Sequence, residues 1–322
     1  MIGITMGDAA GIGPEIVLKA LSDKNLRTAY RCVIIGDAVH LRSLAEVRLV
    51  AFHIVDLDDG EIPQDAVGVF DLKNLPPSFE MGSDQAGTGK ASAEYIDAAV
   101  KLWRDGRIDA ICTAPISKKA IALGGYNYPG HTEFLAELTG TKEFSMSFFA
   151  DKLRVVLLTT HISLANAITL VKKEALIDRI KFADRTLSRL LGRKVSIAVA
   201  GLNPHASEGG MFGSEERDEI IPAIDHCRDA LDIDVSGPFA PDTIFLRGYK
   251  GEFDAVVALY HDQATIAVKS LSFGTGVNVT LGLPLIRTSV DHGTAYDIAG
   301  QWSADESSMA AAIRLAGELA AK

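Results

Sequence analysis

Short runs of Val, Ile, Leu and Ala recur along this chain and alternate with longer amphipathic stretches. Examples are IGIT (2–5), CVIIG (32–36), DAICTAP (109–115), VVLLTT (155–160), VSIAVAG (195–201) and DAVVALY (254–260). Runs that are apolar at every position, not every second one, read as strands buried on both faces of a parallel sheet. The stretch 174–191 instead puts Ile177, Ile180, Ala183, Leu187 and Leu190 on one stripe and stops at Gly192, the pattern of an amphipathic helix. This alternation predicts an α/β protein. At 322 residues the chain exceeds what one hydrophobic core usually serves, so two α/β/α lobes with a cleft between them are expected. The first lobe is read as 1–115 plus 290–322, with the C-terminal helix returning to it, and the second as 116–289.

Three of the apolar runs end at a histidine: His161, His205 and His261. In open α/β sheets the ligand crevice lies outside the carboxyl ends of the strands. Two readings stand on this pattern alone. Either the three imidazoles converge on a metal ion, or they are separate strand-end residues satisfied by local hydrogen bonds.

Other loops carry candidate chemistry. Gly7–Glu15 (GDAAGIGPE) runs from a strand into a helix opened by Pro14, a geometry that cradles anions, with Gly11 and Gly13 supplying close approach. In YPGHTEFLA, His131 and Thr132 stand at a helix N-terminus, where backbone N–H groups favour a phosphate or carboxylate, although Thr132 also suits a plain N-cap. Positions 82–90 read as a glycine-rich loop. Asp242 falls in the proline-rich, irregular GPFAPDT. Lys269, Asn278 and Arg287 are polar residues in apolar surroundings, where a charge needs a partner.

The net charge of −10 argues against nucleic acid and anionic membranes, so an anionic substrate would need these local cations. Cys32, Cys112 and Cys227 are scattered and form no disulfide framework. The chain opens directly on IGITMGDAAG, and no apolar run approaches the roughly 18 residues of a membrane span. A cytoplasmic protein is expected.

Two stretches resemble the isocitrate and isopropylmalate dehydrogenase superfamily: Gly7–Glu15 and His292–Gly300 (HGTAYDIAG). Within it the chain resembles the 4-hydroxythreonine-4-phosphate dehydrogenase family. The motifs are YPGHTEFLA, GLNPHASEGGMFG, GPFAPDT, YHDQATIAVK and GVNVTLGLPLIRTSVDHGTAYDIAG, in order and covering most of 110–300. The resemblance implies a divalent metal (Zn, Co, Mn or Mg) on His161, His205 and His261. It implies substrate contacts at His131, Thr132, Lys269, Asn278 and Arg287, with Lys269 and Asp242 as catalytic residues. It implies NAD, or NADP, on a loop including Asp291, His292, Gly293 and Asp297 with Gly11 and Gly13. It also implies a homodimer that shares its active site between subunits.

The implied reaction is oxidation and decarboxylation of a 4-phosphorylated 3-hydroxy C4 acid. The leading expectation is 4-phosphohydroxy-L-threonine giving 3-amino-2-oxopropyl phosphate and CO2. TMGDAA (5–10) lacks the proline usual in the family loop and looks closer to paralogues acting on 4-phospho-D-threonate or 4-phospho-D-erythronate. Ala264-Thr265 stand where glycine is usual. Two other classes compete. A non-catalytic metabolite-binding protein would lack a ligand histidine or Lys269, and all are present. A two-metal phosphate esterase would want clustered carboxylates where imidazoles stand.

Overall fold

The computed structural model describes residues 1–48, 50, 52–57, 62–63, 66–272 and 274–321, and they form two compact units. The acidic, proline-bearing stretch 54–76 is expected from its sequence to hold short strands, and part of it lies outside the described residues. The first unit comprises 1–144 and 283–321 and the second 145–282.

The first unit is built on six parallel strands. In chain order they are β1 (Ile2–Thr5), β2 (Cys32–Gly36), β3 (His53–Asp56), β4 (Ala66–Asp71), β5 (Ala110–Thr113) and, far along the chain, β12 (Ile286–Ser289). Their order across the sheet is β3-β4-β2-β1-β5-β12. Every residue of β1, β2 and β5 is buried, as their uninterrupted apolar runs require. Helices α1 (Gly13–Ser22), α2 (Lys24–Ala29), α3 (Ala38–Val47) and α12 (Ser307–Ala320) pack together, as do α4 (Ala86–Arg104), α5 (Lys118–Leu123) and α6 (His131–Thr139).

Residues 116–144, expected in the second lobe, pack with this first unit. The cause is a backbone-close contact between α4 and α5. A Cβ on Gly89 would stand 1.9 Å from the carbonyl oxygen of Ala120. Gly87 and Gly89 are therefore helical, and the loop expected at 82–90 gives way to α4 at Ala86.

The second unit has a mixed sheet. Its strands are β6 (Ser145–Ala150), β7 (Leu153–Leu157), β8 (Ile197–Ala200), β9 (Val235–Phe239), β10 (Ala255–Ala258) and β11 (Val277–Leu281), in the order β11-β6-β7-β10-β8-β9. The β11–β6 and β6–β7 pairs are antiparallel and the remainder parallel. Helices α10 (Pro241–Tyr249) and α11 (His261–Ser272) bury Ile244, Phe245, Ala264 and Val268 against Phe148, Leu153, Val155 and Val256. Further helices are α7 (Leu164–Thr169), α8 (Lys173–Leu191) and α9 (Ile221–Leu231). The buried stripe of α8 includes Leu176, Ile180, Ala183, Leu187 and Leu191. Ile177 and Leu190 lie at its edge, one position off the expected stripe. Gly192 ends the helix with φ 68°, a left-handed cap.

Candidate active site

Three adjacent strands of the second unit, β7, β10 and β8, run parallel. His161, His261 and His205 follow their carboxyl ends, so the topology delivers all three to one sheet edge. The β7 and β10 loops leave the sheet joined. Leu158 N donates to the Ala258 carbonyl and Thr159 Oγ1 to the Leu259 carbonyl, each at 2.8 Å. The rings of His161 and His261 consequently lie 5.5 Å apart, centroid to centroid. They share a cavity of about 300 Å³ with Ser163, Tyr260 and Asp262. His261 Nδ1 is 2.7 Å from Asp262 Oδ1, which leaves Nε2 as the nitrogen for another partner. This residue opens α11, where the sequence suggested a strand end.

His205 is presented differently. Residues 205–209 of the turn Pro204–Gly210 all have φ between 47° and 67°. Each non-glycine residue in this left-handed region costs roughly 1–2 kcal/mol. Such strain persists where the surroundings enforce it, and it clusters at functional sites. Here the buried Glu216 anchors the segment that leads into the turn. Its Oε1 accepts from Leu202 N (2.8 Å) and Asn203 N (2.7 Å), and its Oε2 accepts from Asn203 Nδ2 (2.8 Å). Gln263 ties this turn to the His261 loop, accepting from Leu259 N at 2.7 Å and donating to the Gly201 carbonyl at 2.8 Å. Sequence reasoning missed Glu216 and Gln263 in these roles because each acts through a contact remote in the chain, and missed Asp262 although its partner is the adjacent residue.

Among the described residues no three His, Cys, Asp or Glu side chains are grouped closely enough to hold an ion. Two of the histidines face each other. The third is exposed on the same edge, with its ring 6.3 Å from that of Phe212. The donor set nevertheless fits a first-row divalent metal. Metal–nitrogen bonds of about 2 Å at tetrahedral angles hold two imidazole nitrogens a little over 3 Å apart. Rings 5.5 Å apart permit that spacing, and a carboxylate behind one imidazole is a usual supporting partner.

Asp242 is not in an irregular segment. It occupies the first turn of α10, because Pro241 starts that helix. It lines a cavity of about 540 Å³ with Phe245, Tyr260, Asp262 and Gln263. Tyr260 and Asp262 also line the histidine cavity. Lys269 is exposed on α11, eight residues and so about 12 Å along the axis from His261. Asn278 lies on β11, opposite Phe148.

The remaining candidates belong to the first unit. His131 and Thr132 open α6 behind Gly130. Arg287, on β12, is 3% exposed and donates from Nη2 to Thr113 Oγ1 at 2.8 Å. Burial pulls its pKa down to about 10. Burial, and then the Arg287 charge, hold the His131 imidazole well below its ordinary pKa. His131 is therefore neutral beside a fixed cation. Its Nε2 is buried without a hydrogen-bond partner, a cost of about 1–3 kcal/mol that a ligand oxygen would relieve.

The loop Asp291–Gly300 lies on Gly7–Glu15. Ile12 N donates to the Thr294 carbonyl at 3.0 Å, and Glu15 accepts from Gly300 N and, at 2.8 Å, from Trp302 N. A Cβ on Gly11 would meet the Thr294 carbonyl oxygen at 2.9 Å, and one on Gly13 the Met6 carbonyl oxygen at 2.5 Å. Both glycines are thus required for packing. His292, Gly293 and Asp297 are exposed, and Asp291 is half-buried.

The family described as pyridoxal phosphate biosynthetic protein PdxA matches residues 28–316. The D-threonate 4-phosphate dehydrogenase of Cupriavidus necator is 46% identical over 326 aligned positions, covering 100% of this chain and 98% of that one. The 4-hydroxythreonine-4-phosphate dehydrogenase of Desulforapulum autotrophicum is 44% identical, covering 98% and 94%. The crystal structure of 4-hydroxythreonine-4-phosphate dehydrogenase from Klebsiella pneumoniae has a TM-score of 0.90 at 42% identity, covering 99% of each chain. With the motifs in order along the chain and similarity running through its full length, this protein belongs to the PdxA family.

Proposed function

We propose that this protein is a metal- and NAD-dependent dehydrogenase that oxidises the C3 hydroxyl of a 4-phosphorylated 3-hydroxy C4 acid and releases its carboxylate as CO2. One observation carries the reading: three neighbouring parallel strands bring His161, His261 and His205 to one sheet edge. The named activities of the relatives agree with it.

His161, His205 and His261 would hold the metal, and the set suits Zn, Co, Mn or Mg in descending order of imidazole preference. Bound there, a divalent ion supplies Lewis acidity, which eases loss of the hydroxyl proton and stabilises the negative charge left by decarboxylation. Asp242 and Lys269 serve the proton relay, one accepting the C3 hydroxyl proton and the other returning a proton to C2. NAD+, when bound, would supply the acceptor for the C3 hydride. The C1–C2 electron pair then stays with the substrate as CO2 leaves. Arg287 and Asn278 hold the carboxylate, Arg287 as a fixed guanidinium. His131 and Thr132, at a helix N-terminus, take the phosphate. Asp291, His292 and Asp297 line the nucleotide loop with Gly293, over Gly11 and Gly13. A carboxylate there accepts ribose hydroxyls and disfavours a 2′-phosphate, which favours NAD over NADP.

A homodimer with a shared site completes the reading. Ile162, Leu164, Ile168 and Leu170 beside His161, and Met211 and Phe212 beyond His205, are exposed apolar side chains next to proposed ligands. Clusters of this kind mark association surfaces. Lys269, remote from His261 along its own helix, would then serve a partner's site. Among the described residues no helix is long and apolar enough to cross a membrane.

The leading substrate is 4-phosphohydroxy-L-threonine, giving 3-amino-2-oxopropyl phosphate. A second reading, D-threonate 4-phosphate giving dihydroxyacetone phosphate, is favoured by Ala9-Ala10 after Asp8 and by the Cupriavidus relative. NAD+ reduction with each compound separates them. The metal reading is tested with His205→Ala, which is expected to lose bound metal and turnover while keeping its circular dichroism. A metal-free variant with full activity overturns it.

A further inference from the structure

The carboxyl edge of the first unit holds a network that none of the roles above uses. Tyr296, in the middle of the 292–300 loop, donates from its hydroxyl to Asp8 Oδ2 at 2.7 Å. Asp8 is fully buried, and its Oδ1 accepts from Ala10 N at 3.0 Å. Its own N–H donates to the Pro115 carbonyl at 2.9 Å. Ser117 donates to Asp84 and caps α5, while Lys119 pairs with Asp84 at 3.3 Å. Burial and Asp8 push the phenol pKa up, so it stays a donor. The backbone of Tyr296 is engaged as well. A Cβ on Gly82, whose φ is +76°, would stand 2.6 Å from its carbonyl oxygen, and Gly82 N donates to the Ala10 carbonyl at 2.8 Å.

One phenol therefore joins the β1–α1 loop, through Asp8, to its own loop, and the close approach of Gly82 to the Tyr296 carbonyl brings a third segment against them. We infer that Tyr296 is a positioning residue that locks the 292–300 loop in its nucleotide-binding shape through Asp8. This rests on the reading of that loop as the NAD site. A loop already fixed in its bound form loses no further ordering entropy when the nucleotide arrives. The Tyr296 hydroxyl touches neither substrate nor nucleotide in this role. Its removal acts on nucleotide affinity and leaves the chemical step alone.

The test uses the full-length enzyme with Tyr296→Phe, Asp8→Asn and the double variant. NAD+ dissociation constants are measured by titration, together with KM for each substrate and kcat. Tyr296→Phe is expected to raise the NAD+ Kd and KM about tenfold, the worth of one hydrogen bond to a buried carboxylate. KM for the phosphorylated substrate and kcat stay within about twofold. The double variant binds NAD+ no worse than the weaker single one, because both remove the same bond. Gly82→Ala, which pushes on the same loop from its other side, reproduces the selective loss. Wild-type affinity in Tyr296→Phe, or equal losses for both substrates, overturns the inference. A wild-type protein that does not bind NAD+ refutes the nucleotide-loop reading itself, and the titration of the unaltered enzyme reports that separately.

Discussion

His261 Nδ1 lies 2.7 Å from Oδ1 of the next residue, Asp262. The contact engages Nδ1 and leaves Nε2 for another partner, and His261 lines a cavity together with His161. A carboxylate behind a metal-ligating imidazole is typically worth about 10–100-fold in metal affinity. Asp262→Ala is expected to weaken metal binding by that range, with little change in stability since Asp262 is exposed. Competition titration with a chromogenic chelator reads the affinity, and an unchanged value would show that His261 does not need this partner.

Glu216 anchors Leu202 and Asn203, the segment leading into the left-handed turn that carries His205. Replacing it with Ala leaves the Leu202 and Asn203 N–H groups without their acceptor. The expected cost is about 2–4 kcal/mol, from hydrogen bonds to a buried charge and from unsatisfied donors. Urea unfolding measures it. Metal affinity should fall together with stability, because the segment leading into the turn is no longer anchored.

Gly89 and Gly106 separate two kinds of glycine requirement. Gly89→Ala drives a methyl group into the Ala120 carbonyl, so about 3 kcal/mol or more is expected. Gly106 has φ +67° with nothing within 4 Å of a new Cβ. Gly106→Ala is expected to cost only the backbone strain, roughly 1–2 kcal/mol. Thermal melts of the two variants give the order, and equal losses would contradict the close α4–α5 contact.

His131 gives a pH dependence of definite sign. Its folded pKa is depressed by burial and then by Arg287, so only the unfolded chain takes up its proton as pH falls below about 6.5. Above that pH the imidazole is neutral in both states, so His131 contributes no pH dependence. Below it stability is lost, by up to about 1.4 kcal/mol per pH unit until the folded group also titrates. Against His131→Gln, the wild type should lose stability more steeply between pH 6.5 and 5. Parallel denaturation curves across that window would refute a buried neutral His131.

Much of this architecture was legible in the chain. The uniformly apolar runs placed β1, β2, β5, β7, β8 and β10, because a strand covered on both faces tolerates no alternation. Gly192 stopped α8 and Pro14 opened α1 by local backbone rules. Other features were misplaced for identifiable reasons. The 82–90 stretch looked like a loop because helix propensity penalises glycine, whereas the close approach of α5 requires it there. Asp242 looked irregular because two prolines, Pro238 and Pro241, closely precede it, whereas the second of them starts a helix.

Local sequence therefore determined which segments are strands and helices and which residues stand at their ends, since those choices depend on neighbours within a few positions. Tertiary structure decided which ends meet. The β7-β10-β8 order brings His161 and His261 together, although 100 residues of chain separate their loops. Tyr296 reaches Asp8 across 288 positions. Parallel strands pair only through crossovers, so neighbours in the sheet are remote in the chain. The site is the product of that pairing, which no local pattern records.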